Sequence, residues 1–530
     1  MGRNYKVVVI GLDGATWDLI RPWSEKGLLP TFKFLMDNGT WGILESTIPP
    51  LSPSAWTSIY TGCMPSKHKI FGFIKRKKET YFYTPISSRD RKKPAIWEVL
   101  SKHGKRSIVI NALFSYPPKD INGIIITGLG TPSKKSDFVR PKDYKAFILD
   151  NFPRYDVDFN EGLLLVSRDV NNFIKKIKEI TDEQIRLTKY FIENEQWDFL
   201  FSIFRAFDVI QHYFWDRKNL LLYFYKMFDL FFRWLTQNRE LYTHLFIVSD
   251  HGFSPVKKYF CVNEWLQSIG LLKMKRKEKK SIITAESITE FILKLGMKDI
   301  VWRLKRTKAI EKILKIVPSE DFGYLSEIDW SNTKAYFYEG SDGIICINLK
   351  GREPRGIVSE EEYPKLVKYV VNGLKNVKDP ETGKKIVKQV FTKEELFNTS
   401  DKSLPDIFIL LEDEYRAVSH NKISNSLFMP PLHGRTLRPA DHHINGIFLA
   451  FGNGIAHKML VNKVKTWDIA PTVFHILGVP IPREVDGRVL KEIFREDSEL
   501  AKRSVDTILQ TYMKKKLREK IKRLKTCKAI

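Results

Sequence analysis

Short runs of β-branched and apolar residues recur along this chain and are separated by stretches with helical periodicity. The runs span 6–12, 107–112, 123–128, 199–204, 245–249, 407–411 and 447–451. Nearly continuous apolar strands that alternate with helices are typical of a mostly parallel sheet, because helices cover both faces of such a sheet and bury every strand residue. The pattern therefore predicts an α/β core built on one sheet.

The segment between the fifth and sixth of these runs has a different character. It contains a charged run at 273–280, basic helical stretches at 287–295 and 300–316, strand signals at 335–338 and 343–348, and a turn at 379–383. We interpret it as an inserted α+β cap domain. The predicted organisation is a core over 1–255, the cap over 256–404, the rest of the core over 405–495 and a basic helix over 496–530.

Composition limits the class of protein. With 43% hydrophobic and 13% aromatic residues, the chain has ample material for a packed interior, which excludes a disordered protein. The 88 Lys and Arg exceed the 62 Asp and Glu by 26, so the chain should attract anions. Phosphorylated small molecules, nucleic acid and anionic membranes all fit, and charge alone does not choose among them.

Several features favour a cytoplasmic protein. The four cysteines are scattered without a disulfide or zinc-knuckle spacing. The first residues lead directly into a strand and show no secretory signal. The apolar stretch 220–235 is interrupted by Lys226, Asp229 and Arg233, so it predicts a buried aromatic helix rather than a membrane span.

Side chains that bind metals collect where the predicted strands end. Carboxyl ends of parallel strands meet at one edge of a sheet, where functional groups gather. An i,i+4 spacing also puts one aspartate and one histidine on the same face of a helix. The residues at these ends are Asp13, Asp208, His212, Asp250, His251, His442 and His443.

Each of these residues alone has an ordinary structural explanation, such as a helix cap, a turn or a surface pair. Their conjunction around one sheet is more specific. Mixed carboxylate and imidazole donors without thiolate suit Zn²⁺, with Mn²⁺ as the alternative, and seven groups suffice for two ions. A hydroxyl-rich loop over 49–58 supplies three candidate nucleophiles, Ser52, Ser54 and Thr57.

These motifs, in this order, resemble the alkaline phosphatase superfamily, in particular its type I phosphodiesterase and nucleotide pyrophosphatase branch. The resemblance spans residues 8–488 and is looser in the inserted segment. It rests on Gly11-Leu12-Asp13-Gly14, Ser52 with Ala55-Trp56-Thr57 and Thr61-Gly62, Pro65 with His68, Asp208 with His212, Ser249-Asp250-His251-Gly252, His442 with Asn445-Gly446, and Asp468 through Asp486-Gly487-Arg488.

The resemblance implies a two-metal phosphohydrolase on an alkaline-phosphatase-like core. One ion would be held by Asp13, Asp250 and His251 and touched by the nucleophile. The other would be held by Asp208, His212 and His442. The implied substrate is a phosphorylated small molecule whose phosphoryl group passes through a phosphoseryl intermediate that water then hydrolyses.

Family spacing selects Ser52 as the nucleophile, because the nucleophile stands nine positions before Thr61 of the Thr-Gly pair. The family usually has proline two residues after the nucleophile, whereas this chain has Ser54 there and Pro53 one earlier, so Ser54 and Thr57 stay open. The same spacing selects His442 over His443. For His68 it implies a structural role rather than a metal ligand.

Other activities remain as alternatives. The run Cys63-Met64-Pro65-Ser66-Lys67 approximates a sulfatase motif but follows the Thr-Gly pair, and lysine replaces its arginine. A phosphomonoesterase, a phosphomutase and a noncatalytic anion-binding protein are further alternatives. Phe73 stands where nucleotide pyrophosphatases have a substrate-contacting asparagine, which argues against nucleotide substrates.

Two expectations concern charge. No residue flanking Ser52 is cationic, so two divalent ions should favour a singly charged diester over a dianionic monoester unless downstream cations fold back, namely Lys67, Lys69, Lys75 and Arg76.

The basic C-terminal helix, predicted over 499–525, would either pack on the core or lie on an anionic membrane. No specific nucleic acid partner is expected.

Overall fold

The computed structural model describes residues 5–159, 169–275, 324–420, 426–430 and 438–506. Its helices are α1 Trp17–Glu25, α2 Pro30–Asn38, α3 Ser52–Thr61, α4 Pro65–His68, α5 Ile96–Lys102, α6 Tyr144–Asn151, α7 Val170–Asn194, α8 Ala206–Phe214, α9 Lys218–Gln237, α10 Val262–Ser268, α11 Tyr324–Glu327, α12 Tyr363–Leu374, α13 Lys393–Phe397, α14 Ile469–Leu477 and α15 Glu499–Lys502.

The strands are β1 Val7–Leu12, β2 Thr40–Glu45, β3 Ile74–Arg76, β4 Tyr83–Pro85, β5 Ser107–Ala112, β6 Gly123–Thr127, β7 Val139–Arg140, β8 Phe199–Phe204, β9 His244–Val248, β10 Gly252–Pro255, β11 Lys258–Cys261, β12 Ala335–Phe337, β13 Ile344–Ile347, β14 Val387–Thr392, β15 Ile407–Leu411, β16 Tyr415–Val418, β17 Phe428–Met429, β18 Ala440–His443, β19 Asn445–Gly452 and β20 Met459–Lys465.

Nine strands form the central sheet, in the order β20-β2-β19-β9-β1-β8-β5-β6-β7. The pairs from β9 through β6 are parallel, while β19 runs antiparallel to both β2 and β9. In β1, Val8 and Ile10 face one apolar cluster and Val7 and Val9 face another, so the sheet is buried on both sides. This confirms the predicted α/β fold class with a mostly parallel, helix-covered sheet.

Six of the seven runs predicted as strands of this sheet lie in it. The prediction for the run 407–411 was wrong. This run forms β15, which pairs antiparallel with β13 and β14 in a separate four-stranded sheet, ordered β12-β13-β15-β14. An apolar run predicts that a strand is buried, but it does not predict to which sheet the strand belongs. The central sheet resumes only at β19. Three of its strands, β2, β7 and β20, were not predicted, and each of them has partly or fully exposed positions rather than a continuous buried run.

The four-stranded sheet has its own apolar cluster. Helix α12 places Leu366, Val370 and Leu374 in that cluster, beside Ile345 and Ile407 from the sheet. The antiparallel strands and this helix match the α+β character expected of the inserted segment. Its predicted basic helices at 287–295 and 300–316 lie outside the described residues, and the domain boundaries stay a prediction.

Helix α9 contains the aromatic stretch that resembled a membrane span. Its Phe224, Phe228 and Phe232 are fully buried, which agrees with the predicted buried helix. Among the described residues, no helix is both long enough and apolar enough to cross a membrane.

The C-terminal helix differs from its prediction in the described residues, since α15 ends at Lys502 instead of continuing. The Arg503 backbone is extended, and its guanidinium donates to the carbonyl oxygens of His475 and Ile476 at the end of α14. The helix therefore ends at Lys502, and the Arg503 side chain contacts the end of α14. The rest of the predicted basic helix, residues 507–530, lies outside the described residues.

These contacts predict that two C-terminal truncations will differ in their effect on stability. Leu500 is buried, and its carbonyl lies 2.8 Å from His475 Nε2. A chain ending at Asp506 is expected to keep its stability and its activity. A chain ending at Glu496 loses the Leu500 and Arg503 contacts, and we expect it to be less stable by about 2–4 kcal/mol. Urea unfolding of the two chains measures the difference, and equal stabilities would contradict the prediction.

Candidate active site

The fold brings the predicted ligands together because of strand direction. Strands β9, β1 and β8 are adjacent and parallel, so Asp250, Asp13 and the start of α8 follow them at one edge of the sheet. Strand β19 runs the opposite way, so its first residues, and His442 just before them, lie at that same edge. Strand β2 is antiparallel to β19, and the loop that follows it leads to Ser52, the first residue of α3, at the same edge.

Asp13, Asp250, His251 and Ser52 form the first ligand group, and all four are buried. His251 Nε2 lies 3.2 Å from Asp250 Oδ2, 3.6 Å from Asp13 Oδ1 and 3.1 Å from Ser52 Oγ. The Ser52 hydroxyl is also 3.5 Å from Asp13 Oδ1. Two carboxylates, one imidazole and one hydroxyl therefore converge on one point.

The second ligand group contains Asp208, His212 and His442, which are also buried. His212 Nε2 is 3.1 Å from both Asp208 Oδ1 and His442 Nε2, and His442 Nε2 is 3.3 Å from Asp208 Oδ1. Helix α8 supplies the first two of these residues from consecutive turns, as the i,i+4 spacing predicted.

Hydrogen bonds fix two of the three imidazole rings. The Nδ1 atoms of His251 and His212 each lie 3.1 Å from a backbone carbonyl, that of Gly252 and that of Ala440. A carbonyl oxygen can only accept, so these Nδ1 atoms donate and the Nε2 lone pairs face the ligand groups. This is the tautomer that a metal-ligating histidine needs. In the ligand groups, Ser52 Oγ lies 3.1 Å from His251 Nε2, and Arg438 Nη1 lies 2.5 Å from His212 Nε2.

The donor set fits divalent cations. One carboxylate oxygen in each group, Asp250 Oδ2 and Asp208 Oδ1, is buried and accepts no hydrogen bond. Burial and the nearby Asp13 carboxylate raise the pKa of Asp250 well above its usual range. Burial and then Asp208 raise the pKa of Asp13 to about 7. Two carboxyl groups this close repel each other when both are ionised, and a cation bound between them would stabilise the ionised form of both.

The two groups are neighbours. The rings of His251 and His442 have centroids 3.9 Å apart. Burial opposes ionisation of Asp208, but the contacts of its carboxylate with His212 and His442 outweigh burial and hold the pKa of Asp208 well below its usual range. Burial and the nearby His442 lower the pKa of His251 well below its usual value, so that ring is a neutral donor.

Ser52 begins helix α3, where N–H groups without helical partners attract anions such as phosphoryl oxygens. Trp56, one turn later, donates from Nε1 to Asp13 Oδ2 at 3.3 Å and so ties the helix to the first ligand group. Glycine at position 11 makes room for this ring, because a Cβ there would stand 2.4 Å from Trp56.

Comparison with known proteins identifies the family. Residues 7–435 match the family model described as type I phosphodiesterase / nucleotide pyrophosphatase. The chain belongs to this family. Membership confirms the predicted enzyme class, a metal-dependent hydrolase that acts on phosphoric ester bonds. No curated protein matches this sequence.

Solved structures show the same fold at low sequence identity. Phosphonoacetate hydrolase from Sinorhizobium meliloti 1021, in complex with phosphonoformate, is 13% identical with a TM-score of 0.55, covering 90% of this chain and 96% of the other. Murine ectonucleotide pyrophosphatase / phosphodiesterase 5, as an inactive form with AMP, is 11% identical with a TM-score of 0.52, covering 93% and 100%. The alkaline-phosphatase-like core is thereby confirmed.

Three other residues considered in the sequence analysis, His443, Thr57 and His68, lie outside the two ligand groups. His443 faces away from the ligand groups, with Nε2 3.3 Å from Asp413 Oδ1. Thr57 donates to the Pro53 carbonyl at 2.6 Å, a packing role. His68 is buried, contacts Ser58 Oγ at 3.0 Å and accepts from the Ile70 amide, which agrees with a structural role.

The sequence analysis missed several charged residues near the site, among them Arg205, Asp342 and Arg438, whose Nη1 contacts His212 Nε2. Arg205 lies between the groups, with Nε 4.0 Å from Asp13 Oδ2 and Nη2 3.5 Å from Asp208 Oδ2. It directly follows β8, so the strand-end argument applied to it as well. Asp342 approaches His442 from the four-stranded sheet, and no sequence signal connected the two.

Proposed function

We propose that this protein is a two-metal phosphohydrolase that cleaves phosphodiester or phosphoanhydride bonds through a phosphoseryl intermediate on Ser52. The observation that carries the proposal is the position of the Ser52 hydroxyl, within 3.5 Å of both His251 and Asp13 and at the start of a helix. Among the three candidate hydroxyls, Ser52 is the one that contacts a ligand group.

The first group would hold one ion and the second group the other, and nitrogen and oxygen donors favour Zn²⁺, with Mn²⁺ as the alternative. Such ions supply charge neutralisation on the phosphoryl oxygens and a lowered pKa for the attacking hydroxyl. Ser52 Oγ attacks phosphorus and displaces the leaving oxygen in line, and the proton that the hydroxyl loses ends on the alcohol or phosphate that departs. Water then cleaves the phosphoseryl bond and restores the hydroxyl.

A cleft beside the second group offers space for the part of the substrate that does not react. It is open to solvent, and its lining includes Pro50, Ile409, Leu411, Arg416 and His442. Ile409 and Leu411 lie just beyond the predicted inserted segment, but they belong to the four-stranded sheet, whose other three strands come from that segment. This supports the expected role of the inserted segment in holding a second substituent. We propose a phosphorylated small molecule as substrate, and a cytoplasmic location stays a prediction.

Charge near the nucleophile supports the diester preference. The four downstream cations are each paired with a carboxylate: Lys67 with Asp486 at 2.6 Å, Lys69 with Asp401 at 2.6 Å, Lys75 with Asp90, and Arg76 with Glu353 at 3.3 Å. None of these pairs involves the ligand groups. The second candidate function, a phosphomonoesterase or phosphomutase, is favoured by Arg205, because a cation between the groups would offset the second charge of a monoester.

Comparing two substrates decides between these functions. We expect kcat/KM, corrected for the uncatalysed rate, to be higher for bis-p-nitrophenyl phosphate than for p-nitrophenyl phosphate. If Arg205 serves dianionic substrates, Arg205→Gln should lower the monoester rate more than the diester rate. A clear preference of the wild-type enzyme for the monoester, removed by Arg205→Gln, would establish the second function instead.

A further inference from the structure

The third ligand histidine is held differently from the other two. His212 and His251 each direct Nδ1 at a backbone carbonyl of the sheet edge. His442 Nδ1 is buried and makes no such hydrogen bond. Its polar neighbour is Asp342, whose Oδ2 lies 3.4 Å away in an ion-pair contact.

Asp342 comes from a part of the chain outside the central sheet. It stands in the turn between β12 and β13, which a Ser341 hydroxyl bond to the Tyr338 carbonyl and an Ile344 amide bond to Ser341 Oγ hold in shape. Strand β13 pairs with β12 and β15 of the four-stranded sheet. The carboxylate therefore reaches the ligand group from a separately packed unit.

We infer that Asp342 is a positioning residue for His442, an inference that rests on the proposed two-metal function. Its carboxylate is the ion-pair partner of Nδ1, at 3.4 Å, and this pairing leaves the Nε2 lone pair directed at Asp208 and His212. A carboxylate partner also makes the imidazole a stronger donor, and loss of such partners typically weakens metal binding about 10–100-fold. Through this contact the four-stranded sheet determines how well the second group holds its ion.

The chain supplies a matched control one residue along. His443, the neighbour of His442, has a similar contact, since its Nε2 lies 3.3 Å from Asp413 Oδ1. Asp413 also comes from the chain segment just after β15. Removing either carboxylate breaks one ion pair to one histidine of β18, but only His442 belongs to a ligand group.

The experiment titrates Zn²⁺ into metal-free wild type, Asp342→Ala, Asp342→Asn and Asp413→Ala, with elemental analysis of the loaded proteins. In Asp342→Ala we expect binding at the second group to weaken about 10–100-fold, with the first group unchanged. Asp342→Asn should fall between, because its amide oxygen accepts the same N–H without the charge. Asp413→Ala should match the wild type.

Other results overturn the inference. Unchanged Zn²⁺ affinity in Asp342→Ala would do so, as would equal weakening in Asp413→Ala. A third ion lost only in Asp342→Ala would make Asp342 a direct ligand together with Asp441 and His442. If the alanine variant fails to fold, Asp342→Asn decides by the same comparison. A wild type that binds one ion contradicts the two-metal proposal, while the contrast between the Asp342 and Asp413 variants still decides this inference.

Discussion

Replacement of Ser52 by alanine is expected to lower kcat/KM by about 10³-fold or more, because removal of a covalent nucleophile leaves only binding and electrostatic stabilisation. The variant should keep its fold and both metal ions. Asp13, Asp250 and His251 remain in the first ligand group, and the lost hydroxyl is its weakest donor. Steady-state kinetics and elemental analysis of the purified variant test both parts.

Thr57→Ala on the same helix is the matched control. It loses hydrogen bonds to the Pro53 carbonyl and the Tyr60 hydroxyl, neither of which belongs to a ligand group. We expect about 1 kcal/mol less stability and a much smaller change in kcat/KM. Full activity in Ser52→Ala would contradict the assignment of the nucleophile and direct attention to Ser54 or Thr57.

The sequence was most informative where one rule of topology applied. Asp13, Asp208 and Asp250 were placed at one sheet edge because parallel strands end there together, and β9, β1 and β8 are indeed adjacent. His442 needed family spacing, since it precedes an antiparallel strand. Burial alternates along β18, so that choice by one position decides which side chain enters the ligand group.

Residues that depend on packing between distant segments were not accessible in this way. Asp342 lies 100 positions before His442 in the sequence, and their contact arises from how the four-stranded sheet meets the sheet edge. Strand β15 was misassigned for a related reason, because burial by either sheet produces the same apolar run. Local patterns predict elements and their ends, whereas pairing partners are set by the tertiary structure.

The two ligand groups should lose metal independently. Asp208→Ala or His442→Ala is expected to deplete one ion, and Asp250→Ala the other, because the two sets of ligands come from different strand ends and share no residue. Each group supplies only three ligands from Asp and His, so loss of one leaves too few donors to hold the ion against dialysis. The measurement is metal content per chain after dialysis in a buffer of fixed free Zn²⁺.

His443→Ala provides the matched control for His442→Ala, since the two residues are adjacent in β18 and differ in the direction of their side chains. His442 Nε2 lies 3.1 Å from His212 Nε2, whereas His443 contacts Asp413 outside the ligand groups. The His443 variant should therefore retain both ions, and unfolding of the metal-free proteins shows whether either variant is misfolded. Metal loss in His443→Ala with retention in His442→Ala would reverse the assignment of the ligand, and simultaneous loss of both ions in every variant would show that the groups bind as one cluster.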